Sequence, residues 1–132
     1  MKNPLAKIFK PSPRIIPEKV LAELNLHFPN AVNVEWEMKK GSFETIFYQD
    51  DVEHIAHISA DGKLEEYKKN LWLKDLPRKI SEECEQLGEI MNAILILKKD
   101  KQFYEVIVRD SKLKRKLFLF DGSANMVSSR KL

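Results

Sequence analysis

Three landmarks recur along this chain at nearly constant spacing, and that doubling limits its fold more tightly than any bulk property. Ile16-Pro17 returns as Leu76-Pro77 after 60 residues, Phe43-Glu44 as Tyr104-Glu105 after 61, and Asp61-Gly62 as Asp121-Gly122 after 60. A fixed period of this length marks one supersecondary unit used twice. The expected architecture is a tandem repeat, with copies over residues 16–70 and 76–132.

The first copy opens with a helix expected over residues 17–27. Pro17 suits a first helical turn, where its missing N–H would be unsatisfied anyway. Ile16, Val20, Leu24 and Phe28 lay an apolar stripe at four-residue spacing. Pro29 stops the helix and Asn30 suits the turn that follows. Val32, Val34, Trp36 and Met38 then alternate with polar neighbours, as in a strand with one buried face, and Trp36 is expected inside. Phe43–Tyr48, Val52–Ser59 and Lys63–Tyr67 are read as three more strands, with turns at Lys40-Gly41-Ser42, Gln49-Asp50-Asp51 and Asp61-Gly62. The unit is one helix followed by a four-strand antiparallel meander.

The second copy repeats this plan. Leu76, Ile80, Cys84 and Leu87 form the helical stripe, and Met91–Leu97, Phe103–Val108, Lys114–Phe120 and Asn125–Ser129 the strands. Met91–Leu97 is apolar on both faces, which suits the middle of a sheet. Leu71-Trp72-Leu73 joins the copies. Three large apolar residues predict a connector packed down on the core, and hence a single domain over 16–132 with one joined sheet. The fold class is α+β.

Residues 1–15 hold four basic side chains, three of the six prolines and no acid, and read as a flexible basic arm. They carry no apolar stretch like that of a secretory leader, and no segment approaches the roughly 18 apolar residues that span a bilayer. A membrane span is therefore not expected. The net charge of +3, from 23 basic and 20 acidic side chains, is too small a surplus to indicate a nucleic-acid partner. The lysines at 98, 99 and 101 and at 112, 114 and 116 are read as solvated hairpin tips and edge protection. One cysteine, Cys84, excludes an internal disulfide and a cysteine-based zinc site.

The segment Phe28-Pro29-Asn30-Ala31 with its Val-x-Trp strand, an aromatic-Glu strand and a strand ending in Asp61-Gly62-Lys63 resembles the PepSY-like bacterial proteins of the β-lactamase-inhibitor-protein-like fold. Leu76-Pro77 and Phe103-Tyr104-Glu105-Val106 fit the same pattern, so the resemblance covers about residues 15–130. It implies two helices packed on one face of a joined antiparallel sheet, with the other face open to a protein partner. It also implies a peptidase-modulating or inhibitor-like role. Members of the group are typically exported, whereas this chain shows no leader, so the cytoplasm is the expected compartment unless the group's habit applies.

Chemistry-bearing residues are sparse. His54 and His57 lie near Asp50, Asp51 and Glu53, but residues three apart on a strand face opposite ways and cannot share one ion. Both are read as exposed strand residues, and no metal or cofactor is expected. His27 suits a helix end, where a positive ring favours the dipole. Cys84 falls on an apolar stripe as an inert thiol, and Ser123, Ser128 and Ser129 lack a Gly-x-Ser-x-Gly turn, so no catalytic residue is assigned. On the strand faces turned away from the helices, Ile46, Tyr48, Phe103 and Ile107 are the candidate partner-binding residues. The expected function is a non-catalytic protein-binding module, monomeric or homodimeric. The alternative is a small-ligand or envelope-stress sensor.

Overall fold

The computed structural model describes residues 15–132. The basic arm expected over 1–15 lies outside them apart from Ile15, which is exposed. Among the described residues the chain forms two α-helices, α1 (Glu18–His27) and α2 (Arg78–Glu85). It also forms eight strands: β1 (Val32–Lys39), β2 (Ser42–Gln49), β3 (Val52–Ser59), β4 (Leu64–Asn70), β5 (Glu89–Lys98), β6 (Lys101–Arg109), β7 (Arg115–Asp121) and β8 (Met126–Lys131). The strands are ordered in an antiparallel sheet as they are in the chain. The fold is α+β. Two compact units divide between Tyr67 and Lys68.

In the first unit, Pro17 is the residue capping α1, and its carbonyl accepts from the N–H groups of Val20 and Leu21 at 3.0 and 3.1 Å. Val20, Leu24 and Phe28 bury against Trp36, Phe43, Phe47, Ala56, Ile58 and Tyr67. This core is aromatic: the Phe28 ring lies 4.9 Å from Phe47 and stacks on Tyr67 at 4.8 Å. Trp36 is buried as expected, but its companions on the stripe are not. Val32 and Met38 are exposed and Val34 only partly buried. Asn33 has a left-handed φ of 55° where the β1–β2 register slips between Val32 and Glu35. A bulge of this kind turns the residues before it off the buried face.

The second unit uses Pro77 in the same capping position, with bonds of 3.0 and 3.1 Å from Ile80 and Ser81. Its core is mostly aliphatic: Leu76, Ile80, Cys84, Ala93, Val106, Val108 and Ala124, with Phe118 and Phe120. Leu87 departs from the expected stripe, because α2 ends at Glu85 and leaves it exposed. Gly88 then turns the chain into β5 with φ 156°, and a Cβ there would sit 2.3 Å from the carbonyl oxygen of Arg109. The junction needs glycine for close approach of two backbones.

The connector is a correction to the sequence reading. Leu71 is partly buried and its N–H donates to the Ala93 carbonyl at 2.9 Å, but Trp72 is 56% exposed and Leu73 46%. Leu73–Asp75 is a single 3₁₀ turn between two anchors, Leu71 and Leu76. So short a turn fixes its ends and leaves the middle outside.

Turn chemistry follows two patterns. Lys40-Gly41, Asp50-Asp51 and Lys99-Asp100 each place two consecutive residues at positive φ, as tight two-residue hairpins of right-twisted strands require. Ser59–Lys63, Asp110–Lys114 and Asp121–Asn125 are longer loops with one shared hydrogen-bond scheme. In each, the first residue's N–H donates to the last carbonyl, and the fourth residue's N–H donates to the first carbonyl. The fourth residue is left-handed in all three: Gly62, Leu113 and Ala124. The counterpart of Gly62 is thus Ala124, not Gly122. The Asp-Gly match at 60 residues is one of composition, because the two loops superimpose their hydrogen bonds at a spacing of 62.

Candidate protein-binding face

In the second unit α2 and its core lie against the side of β6 that carries Tyr104, Val106 and Val108. Strict alternation sends Phe103, Glu105 and Ile107 to the opposite side. Register fills in their neighbours, since directly paired residues share a face. Phe103 stands between Ile96 and Asp121, Glu105 between Ile94 and Leu119, and Ile107 between Asn92 and Leu117. Six large apolar side chains on three strands therefore surround one carboxylate. All seven are half-buried, keeping solvent exposure that the core face lacks. Among the described residues Glu105 makes no hydrogen bond or ion pair.

The first unit has the same geometry and different chemistry. Glu44 is paired across β2 with Glu37 and His57. It is buried, and it meets His57 Nε2 at 2.5 Å and Lys39 Nζ at 3.1 Å. Ile46 lies two residues on, between Glu35 and Ile55, and is only 2% exposed, so it presents almost no surface to a partner. Tyr48 is half-buried beside Glu53, to which its hydroxyl hydrogen-bonds. Burial raises the Glu53 pKa above its ordinary 4.5, and the Tyr48 hydrogen bond opposes that rise. Glu53 Oε2 is buried without a hydrogen-bond partner. Of the four expected contact residues, Ile46 and Tyr48 share one face of β2, and Phe103 and Ile107 share one face of β6.

Of the two strand histidines expected to be exposed, His57 is half-buried and His54 is not exposed at all. His54 is buried on the α1 side, stacked 5.1 Å from Phe47, with Nδ1 hydrogen-bonded to the Tyr67 hydroxyl at 2.8 Å. Burial pushes the Tyr67 phenol up to about 12. His57 points to the other side, onto Glu44, so the two rings do face apart as their spacing requires. His27 is held by Glu23 at 3.3 Å in the last turn of α1. Cys84 is fully buried, with its thiol pushed up to about 11 by burial and by Glu83 and Glu85, which makes it a poor nucleophile. Among the described residues no group of three or more His, Cys, Asp or Glu is arranged to hold a metal. No described helix is long and apolar enough to cross a membrane. A cavity of about 80 Å³ beside Leu87, Val108, Lys114 and Phe118 is far smaller than the roughly 300–1,000 Å³ that small-molecule sites occupy.

No protein-family model and no curated protein matches the sequence. Solved structures do. A DUF2874 family protein from Bacteroides uniformis matches with a TM-score of 0.74 at 15% identity, over 87% of this chain and 88% of that one. A BLIP-like protein from Bacteroides fragilis matches at 0.74 and 13%, over 96% and 91%. A putative periplasmic protein from Bacteroides eggerthii matches at 0.75 and 13%, over 89% of each. The fold is BLIP-like.

Within the BLIP-like fold, strand alternation puts Phe103 and Ile107 on one face of β6, where both are half-buried. It missed Ile94, Ile96, Leu117 and Leu119 beside them, because cross-strand register is not written in any single strand. The signal was there in part: Met91–Leu97 is apolar on both parities, and one parity had to face away from α2.

Proposed function

We propose that this protein is a non-catalytic protein-binding module whose contact surface is the β5–β7 face built around Phe103 and Ile107. The observation that carries this reading is the set of six partly exposed apolar side chains on the side of the sheet facing away from α2. Apolar surface gathered in this way on a folded chain favours a partner. Tyr48 is a further contact in the first unit. The PepSY-like motifs and the BLIP-like neighbours support an inhibitor- or modulator-like role. On the same reading residues 16–70 and 76–132 are two copies of one unit forming a single domain.

The test is quantitative affinity capture from the native cell with the wild type and with Phe103→Asp/Ile107→Asp. Proteins bound by the wild type and depleted at least tenfold in the variant, with far-ultraviolet circular dichroism unchanged, support the reading. Equal recovery by both sinks it.

A further inference from the structure

Glu44, the third residue of β2, and Glu105, the fifth of β6, both lie on the strand face turned away from the helix of their unit, each flanked on the two neighbouring strands by directly paired residues. In the first unit the chain itself supplies the partners, the Lys39 ammonium and the His57 ring. In the second unit the flanking positions are Ile94 and Leu119, and Glu105 has no partner among the described residues. The carboxylate is half-buried between apolar side chains on both flanking strands and has no cation against it among the described residues. Its neighbours weaken water's competition for it, so an ion pair formed there is stronger than one on open surface.

We propose that Glu105 is the specificity-determining residue of the β5–β7 face, and that the partner inserts one Lys or Arg side chain, flanked by large apolar residues, onto it. This rests on the protein-binding reading above and adds the chemistry of the partner. The apolar ring takes the flanking side chains and the stem of the inserted residue, and Glu105 takes its charged end. Arginine is favoured over lysine where both carboxylate oxygens are reached, because its planar fork bonds them together. An acidic or purely aliphatic segment is disfavoured, since it would bury Glu105 uncompensated.

The experiment pans a random 12-residue peptide display library on the wild type, Glu105→Gln, Glu105→Lys and Phe103→Asp/Ile107→Asp, and measures enriched peptides by isothermal titration. The wild type is expected to enrich peptides with Arg or Lys between large apolar residues. Glu105→Gln, which keeps shape and loses charge, should bind those peptides roughly tenfold more weakly and lose their salt dependence. Glu105→Lys should enrich Asp or Glu at the central position instead. Apolar peptides without a cation, bound equally by wild type and Glu105→Gln and lost in Phe103→Asp/Ile107→Asp, would overturn the assignment of Glu105 and leave the protein-binding face standing. Enrichment that survives Phe103→Asp/Ile107→Asp, or none on the wild type, would overturn both. Sedimentation of the wild type as a dimer that Phe103→Asp/Ile107→Asp converts to monomer would assign the face to a second copy and overturn the proposal.

Discussion

The two units each place a glutamate on the strand face turned away from their helix, and they treat it in opposite ways. Glu44 is buried with Lys39 and His57 against it, among Glu35, Glu37 and Glu53 on the same face. Glu105 has no partner among the described residues and lies amid Ile94, Ile96, Phe103, Ile107, Leu117 and Leu119. The first face sets a lysine and a histidine against its central glutamate; the second surrounds its glutamate mostly with apolar side chains. The cores differ in the reverse sense, aromatic and hydrogen-bonded through His54 and Tyr67 in the first unit, mostly aliphatic in the second. The same backbone plan can thus be closed off or left ready for a partner by the residues on one side of three strands.

The largest contrast is expected where each helix hands over to its first strand. The first unit uses Phe28-Pro29-Asn30-Ala31, the second Leu87-Gly88-Glu89. Gly88→Ala places a methyl 2.3 Å from a backbone oxygen at a φ of 156°, and should cost about 3 kcal/mol or more in urea unfolding. Pro29→Ala should cost no more than about 1 kcal/mol, through the unfolded chain alone. Comparable losses would mean that the two junctions carry equal strain.

Next come the glutamates themselves. Glu44→Gln removes the carboxylate that Lys39 and His57 share, and should lower stability by about 1 kcal/mol. Glu105→Leu should instead raise it by roughly 0.5 kcal/mol, since an aliphatic side chain fits its neighbours better than a charge does. A destabilised Glu105→Leu would show that the carboxylate is structural after all.

Much of this plan was legible before any coordinates. Both proline caps, the helix ending at Phe28-Pro29 and the eight strands follow from local chemistry, because periodicity and turn residues act over a few positions. The errors lie where a distant strand decides. Val32 is out because of one left-handed residue, Asn33, and Ile46 and His54 are in because of what their neighbours bury. Trp72 is out because Leu71 and Leu76 take the inward positions. Glu44 and Glu105 match each other in sequence, yet only register shows that His57 faces the first and Leu119 the second.

The smallest effect sharpens the polar face. Burial raises the Glu53 pKa above 4.5, so its contribution to stability is complete below pH 4.5 and is lost as pH rises through the raised value. Above the raised value the ionised carboxylate is a burden. Glu53→Gln should therefore unfold at a slightly higher temperature than wild type at pH 7, by on the order of 1 kcal/mol or less, with no gain at pH 4. A gain of equal size at both values would break the link to ionisation.

The exposed connector has an optical consequence. The chain holds two tryptophans, and they fall one to each unit: Trp36 lies in the first unit's core and Trp72 stands in water at the head of the second. Native emission is accordingly the sum of a blue band and a red one. Only the blue band has far to move on unfolding, so the fluorescence of this protein is a gauge of its first unit and is nearly blind to its second.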